Sequence, residues 1–177
     1  MNVMQAVARI LKMEGIEWVS CFPSNNLIEA VAEEGIRIVM FRQERGALMA
    51  ADGYSRMNDR KKFGVTITQG GPGSENTMGG IAQAFSDNVP ILYLPGGPAL
   101  NQYAVRPNFS PSRTYESVSK SSEVIVQPAQ VAEHSVVVNA EPLSHRCQVG
   151  EPVDVSQGRV VVDPQAATYR RQVREAV

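Results

Sequence analysis

Two short stretches carry the residue types that chemistry needs. In FRQERGALMAADGYSR, residues 41–56, an apolar run ends at Phe41 and is followed by Arg42, Gln43 and Glu44. In an open α/β sheet the end of such a run is the carboxyl edge, where these folds bind ligands. Glu44 then falls in the first turn of a helix, where the dipole favours a carboxylate by roughly 0.3–1 kcal/mol. That effect alone accounts for an acid here, as a helix stabiliser. A carboxylate facing a ligand at that edge is the functional alternative. The second stretch, TITQGGPGSENTMGG at 66–80, sets Gly70, Gly71 and Gly73 around Pro72. It makes a sharp strand-to-helix corner whose backbone amides can face an anion or a ring. Pro72 suits the first helical position because its φ is already helical. Gly71-x-Gly73-x-x-Asn76 comes near the dinucleotide fingerprint, but that fingerprint belongs to the first βα turn with an acid about 20 residues on. The stretch therefore reads better as a corner that exposes backbone to a ligand or a partner subunit.

The elements that must position these residues alternate regularly from residue 2 to about 96. Val3, Met4, Val7, Ile10 and Leu11 form one face of a helix that Gly15 ends. EWVSCF (17–22) reads as a strand, and Asn25 and Asn26 as N-caps of a helix carrying Leu27, Ile28, Val31 and Ala32 and stopped at Gly35. IRIVMF (36–41) is a continuous apolar strand of the kind buried on both faces of a parallel sheet. A helix over about 43–57, a strand at 63–68, a helix over about 73–86 and a strand at 90–95 follow. This alternation predicts right-handed crossovers and a three-layer α/β/α fold, flavodoxin-like, with a mainly parallel sheet of about five to six strands.

Beyond Gly97 the pattern loosens. Residues 98–117 are expected to be a long surface loop, 122–128 a strand, and 128–137 the start of a helix. The span 138–158 has turn residues and no sustained period and is expected to be irregular or peripheral. RVVVDP (159–164) reads as a strand, and Tyr169, Val173 and Val177 mark an amphipathic helix with no stop signal before the last residue. The expected division is a main domain over 1–137 and a divergent tail over 138–177.

Other chemistries find little support. Seventeen basic against eighteen acidic residues, net −1, leave no field to attract nucleic acid or an anionic membrane. No stretch approaches the roughly 20 apolar residues of a membrane span, and MNVMQAVARILKMEG lacks the apolar block and cleavage site of a secretory signal. Two cysteines, Cys21 and Cys147, make no disulfide framework, and two histidines, His134 and His145, make no metal site. Cys21 on a strand reads as core. No serine sits in a G-x-S-x-G elbow, and Arg170, Arg171 and Arg174 read as a solvated helix face. A soluble, cytoplasmic protein is the expectation.

Taken together, the two stretches resemble one family: the N-terminal, pyrimidine-binding domain of thiamine-diphosphate-dependent enzymes of the acetolactate synthase, pyruvate oxidase and 2-oxo-acid decarboxylase type. The family's Arg-His-Glu and following helix are similar to Arg42-Gln43-Glu44 with Ala47, Ala51, Asp52, Gly53, Tyr54 and Arg56. Its Gly-Pro-Gly-x-x-Asn is similar to Gly71-Pro72-Gly73-Ser74-Glu75-Asn76, and its A-x-x-D-x-x-P-I to Ala84, Asp87, Pro90 and Ile91. Phe22-Pro23 resembles the proline of an early G-x-P-G turn. The resemblance covers roughly residues 3–130.

The resemblance implies a role for each position. Glu44 would hydrogen-bond N1′ of the cofactor's aminopyrimidine, favouring the imino tautomer that removes the C2 proton. A carboxylate sharing a proton with a weakly basic ring nitrogen works best partly desolvated. Pro23, Gly71, Pro72, Gly73 and Asn76 would shape the pyrimidine pocket. Ser24 and Asn25, which replace the family's glycine, and Gln43, which stands where many members have histidine, are candidate substrate contacts. In this family the site lies between subunits. The resemblance therefore implies a homodimer or higher oligomer through helices 43–57 and 73–86. The diphosphate and its Mg²⁺ are held in the family by a Gly-Asp-Gly segment and a later Asn on another domain; this sequence has no Gly-Asp-Gly. The expectation is a pyrimidine-binding half that needs a separate diphosphate-binding subunit. The alternatives are a degenerate, non-catalytic domain keeping the fold and dimer surface, and a stand-alone nucleotide-binding module.

Overall fold

The computed structural model describes residues 1–102, 105 and 111–125. Helix α1 (Val3–Met13) opens on a reciprocal cap: the Gln5 amide donates to Asn2 Oδ1 at 2.9 Å, and the Asn2 amide to Gln5 Oε1 at 3.0 Å. Its apolar stripe buries Ala6, Val7, Ala8 and Leu11. Strand β1 (Trp18–Cys21), helix α2 (Leu27–Glu33), strand β2 (Arg37–Met40) and helix α3 (Glu44–Met57) follow. Then come strand β3 (Gly64–Thr68), helix α4 (Pro72–Ser86) and strand β4 (Ile91–Pro95). A 3₁₀ turn at Leu100–Gln102, a short helix α5 (Pro111–Thr114) and a 3₁₀ turn at Glu116–Val118 complete the described elements.

The sheet is parallel throughout, in the order β2-β1-β3-β4. From β1 the chain steps outward to β2, then crosses back over β1 to β3. The direction of winding therefore reverses between β1 and β3, and their carboxyl ends open a crevice at that switch point. Alternation along the strands sorts the side chains into two cores. Val19, Cys21, Val65, Ile67 and Leu92 pack with α1 and α2 on one face, while Ile91 joins Leu48, Ala51, Ile81, Ala84, Val89 and Tyr115 on the other. The three-layer α/β/α fold is the one the sequence predicts.

Helix α3 lies unusually close to the sheet. A Cβ on Gly64 would stand 2.3 Å from the Ala51 carbonyl oxygen, so backbone meets backbone there. The hydroxyls of Ser20 and Thr66 fill the next level of the same interface, 2.8 Å apart, with Thr66 Oγ1 3.4 Å from the Ala47 carbonyl.

Several expectations are corrected. The described sheet has four strands, below the expected five to six. Of the expected strand at 122–128, residues 122–125 are not in a strand, and 126–128 lie outside the described residues. The helix at 128–137, the irregular span 138–158, the strand at 159–164 and the C-terminal helix lie outside them too, as do His134, His145 and Cys147. Strand β2 is not buried on both faces: among the described residues it forms the edge of the sheet, with Arg37 and Met40 exposed and Ile38 and Val39 half-buried. Its apolar run is therefore a poor guide to depth, because burial is set by strand order. The span 98–117 is not a plain surface loop, since it carries the short elements above and drives Tyr115 into the core. Finally, Asn26 makes no side-chain cap; Asn25 caps instead, with Oδ1 accepting from the Leu27 amide at 3.0 Å.

Candidate functional site

Glu44 reaches its position through a short extended link. The Phe41 amide donates to the Cys21 carbonyl at 2.9 Å, continuing the β1–β2 ladder one residue further. Gln43 is fully extended (φ −159°, ψ 156°) and hands the chain to α3, whose first residue is Glu44. That side chain is 4% exposed. Its Oε2 accepts a hydrogen bond from Asn76 Nδ2 at 3.0 Å. Among the described residues, Oε1 accepts none. The wall on that side is the first turn of α4: a Cβ on Gly73 would come within 2.9 Å of Glu44 Oε1 and 2.5 Å of Gln69 Cγ. Only glycine lets the turn lie this close. The arrangement is a secluded carboxylate with one oxygen held by an amide and the other uncommitted.

The corner that delivers Gly73 is built by its neighbours. Gly71 takes φ 61°, ψ −121°, a conformation favouring glycine, and its carbonyl accepts from the Ser74 and Glu75 amides at 2.9 and 3.2 Å. Pro72 opens α4. Gly70 abuts Gly96, where a Cβ would stand 2.1 Å from the Gly96 oxygen. Asn25 ties this edge together: its Nδ2 donates to the Thr68 carbonyl at 2.8 Å and to the Leu94 carbonyl at 3.2 Å. The Gly96 amide donates to that same Thr68 oxygen at 2.9 Å. Ser24, beside it, sits at φ +75°, and Pro23, Ser24 and Gln43 are exposed. The structure thus brings Glu44, Gly73 and Asn76 into contact, places Gly71 and Pro72 next to them, and sets Asn25 at the switch point. No hydrogen bond joins Pro23, Ser24 or Gln43 to Glu44 among the described residues.

The stretch of chain that carries this corner is similar to known proteins. Residues 1–126 match the family model for the thiamine pyrophosphate enzyme, N-terminal TPP binding domain. The chain belongs to this family. Among its relatives, acetolactate synthase isozyme 2 large subunit of Escherichia coli is 34% identical over 99 residues, 54% of this chain and 18% of the relative. Acetolactate synthase large subunit of Lactococcus lactis is 35% identical over 96 residues, 52% of this chain and 16% of the relative. Probable 2-ketoarginine decarboxylase AruI of Pseudomonas aeruginosa is 38% identical over 93 residues, 51% of this chain and 16% of the relative. The chain spans less than a fifth of the length of these curated relatives.

In this TPP-binding domain, the other motif residues hold α3 and α4 where Glu44 and Asn76 can meet. Arg56 pairs with Asp52 one turn earlier, Nε to Oδ2 at 2.6 Å, and with Asp87 just past the end of α4 at 2.8 Å. Those two carboxylates raise the already high pKa of the guanidinium further. Ser55, which sequence reasoning missed, accepts from the Gly64 amide at 2.8 Å while its Oγ lies 2.6 Å from the Pro90 carbonyl. Gln69 and Tyr115 were missed as well. A hydroxyl whose partner is far along the chain, as for Ser55 and Tyr115, leaves no periodic signal. Cys21 is core, as expected, and burial pushes its thiol up to about 11. No group of acidic, histidine or cysteine side chains among the described residues could hold a metal ion, and none of their helices is long and apolar enough to cross a membrane.

Proposed function

We propose that this domain supplies the aminopyrimidine side of a thiamine-diphosphate site acting on 2-oxo acids, with Glu44 as the carboxylate that engages the ring. One observation carries the reading: Asn76 holds Glu44 Oε2, while Oε1, in a slot closed by Gly73, accepts no hydrogen bond among the described residues. That donor set fits the group, because a secluded carboxylate with one unused oxygen can hold a proton against a ring nitrogen. Thiamine diphosphate, when bound, supplies the electron sink for decarboxylation or carboligation of a 2-oxo acid. Glu44 would bind and position the ring edge and carry the proton at Oε1. Asn76 would keep the carboxylate from rotating, while Gly71, Pro72 and Gly73 form the wall. Pro23, Ser24, Asn25 and Gln43 lie along the same edge and are the candidates for pocket and substrate contact. Relatives named for acetolactate synthesis and 2-ketoarginine decarboxylation support this substrate class.

The diphosphate and Mg²⁺ would be held by a diphosphate-binding domain of the family's other type, facing this one across an interface. Two copies would pair through α3 and α4, in the cytoplasm. Open space over Gly53 and Gly79, where no atom lies within 4 Å of an added Cβ, supports a close approach there, as does the exposed Met49 on α3.

Titration calorimetry of the full chain with thiamine diphosphate and Mg²⁺, with and without a diphosphate-binding partner, tests the proposal. Binding should require the partner, and Glu44→Gln should lower turnover of the assembled enzyme by roughly 10²–10⁴-fold, the usual worth of a positioned proton carrier. Unchanged turnover in Glu44→Gln would remove the carboxylate's role. Absence of binding with every partner would leave a domain that keeps only the fold and its pairing surface.

A further inference from the structure

The turn of α4 that touches Glu44 has a second side. Gly73 and Asn76 face the carboxylate, and their immediate neighbours, Ser74 and Thr77, are fully buried on the side facing Tyr115. The Tyr115 hydroxyl is 2.9 Å from Thr77 Oγ1 and donates a short hydrogen bond to the Ser74 carbonyl. Tyr115 itself is 4% exposed, its ring packed edge-on against Tyr93 with centroids 5.5 Å apart. Tyr93 is in turn anchored by its hydroxyl, 2.8 Å from Thr68 Oγ1 at the end of β3. A hydroxyl contact therefore runs from a residue outside the parallel α/β unit into the one helical turn that sets the Glu44 contact.

We propose that Tyr115 is a positioning residue for the Glu44 site: its hydroxyl fixes the rotation of the first turn of α4, and so the meeting of Asn76 with the carboxylate. The inference rests on the reading of Glu44 as the working carboxylate, but its geometry does not involve the cofactor. The helix begins on Gly71 with no side-chain cap, so its first turn is held by the Ser74 and Glu75 amides on the Gly71 carbonyl and, from outside the helix, by the Tyr115 hydroxyl. Ser74 and Thr77 give Tyr115 a grip on two successive turns, because positions three apart lie on one helical face. The neighbours at 73 and 76 share that spacing on the next face round, so any rotation released at Tyr115 appears at Asn76.

Tyr115→Phe in the full chain isolates the hydroxyl. It leaves the ring against Tyr93, and Thr77 Oγ1 still has the Ser74 carbonyl at 2.7 Å, so no buried group is orphaned. The readouts are the Asn76 side-chain amide resonance and backbone amide hydrogen exchange, both by NMR. The resonance should move toward its position in Glu44→Ala, and exchange at Thr77 and Met78 should quicken roughly three- to tenfold while β3 amides stay within about twofold. Tyr93→Phe removes the Thr68 contact and a polar contact to the Tyr115 hydroxyl but leaves that hydroxyl on Ser74 and Thr77, so it should move the Asn76 resonance much less than Tyr115→Phe does. An unmoved Asn76 resonance in Tyr115→Phe overturns the proposal, and so does exchange that quickens as much in β3 as in α4. If the resonance moves while Glu44→Gln leaves turnover intact, Tyr115 still positions the turn and the proposed role of Glu44 falls.

Discussion

Glu44 illustrates how little of a residue's role its own position explains. A first-turn acid is accounted for by the helix dipole, yet this one has surrendered nearly all of its contact with water and, among the described residues, accepts a single side-chain hydrogen bond, from Asn76. Its partner lies 32 residues away, which no local spacing encodes; the resemblance to the family suggested both residues but not that they touch. Ser24 poses the opposite case. It occupies φ +75°, where an L side chain costs about 1–2 kcal/mol. Ser24→Gly should stabilise the chain by up to about 1 kcal/mol after allowing for the greater freedom of glycine in the unfolded state, read as a rise in urea midpoint at constant slope. A fall in midpoint would mean that the Ser24 side chain contributes more than its strain costs. Asn25, beside it, has both ends of its amide committed to backbone, at Leu27, Thr68 and Leu94.

At the scale of elements, the small residues of α3 find their reason in β3. Ala47, Ala51 and Gly64 let the helix press against the sheet until the Ser55 hydroxyl can take the Gly64 amide, which the ladder leaves to it. Ser55→Ala strands that buried amide and the Pro90 carbonyl, and should cost about 1–3 kcal/mol by chemical denaturation. A loss below a few tenths would show that water or a backbone shift replaces the hydroxyl. The ion pairs of Arg56, by contrast, lie in partly exposed side chains and serve alignment of α3 with the end of α4 more than stability. The boundaries of all eight principal elements were legible to within a residue or two, since caps, glycine stops and apolar periodicity are local. Strand β2 misled because an apolar run states what a strand tolerates, and only its neighbours decide how deeply it lies. The segment around Tyr115 misled because prolines and small polar residues read as loop, while one aromatic side chain ties it to the core.

At the scale of the molecule, two buried acids make the fold sensitive to alkali. Burial raises the Cys21 thiol to about 11 from an ordinary 9.0 and holds the Tyr115 hydroxyl above the usual tyrosine range. The unfolded chain loses these protons first, so stability is intact below pH 9 and falls as pH rises toward 11. For Cys21 the loss reaches on the order of 2 kcal/mol by pH 11. Thermal midpoints measured across this window should fall, and Cys21→Ala should show a shallower decline; parallel slopes would exclude the thiol as a cause. Assembly is tested on the same scale. Gly53→Arg fills open space on α3 and should shift the sedimentation of the full chain toward the monomer if two copies meet there. An unchanged sedimentation coefficient would move the interface elsewhere.

Local sequence determined the order of helices and strands and the glycine corner at 70–73, because each depends on residues within one or two turns of each other; Glu44 is singled out by the resemblance to the family and not by its local position. Tertiary structure alone decided that β2 is an edge, that the winding reverses between β1 and β3, and that Glu44 meets Asn76 while Tyr115 grips the far side of the same turn. Those outcomes depend on which surfaces pack together when distant segments bury their apolar faces, and the buried polar groups must then find partners wherever the packing has brought them.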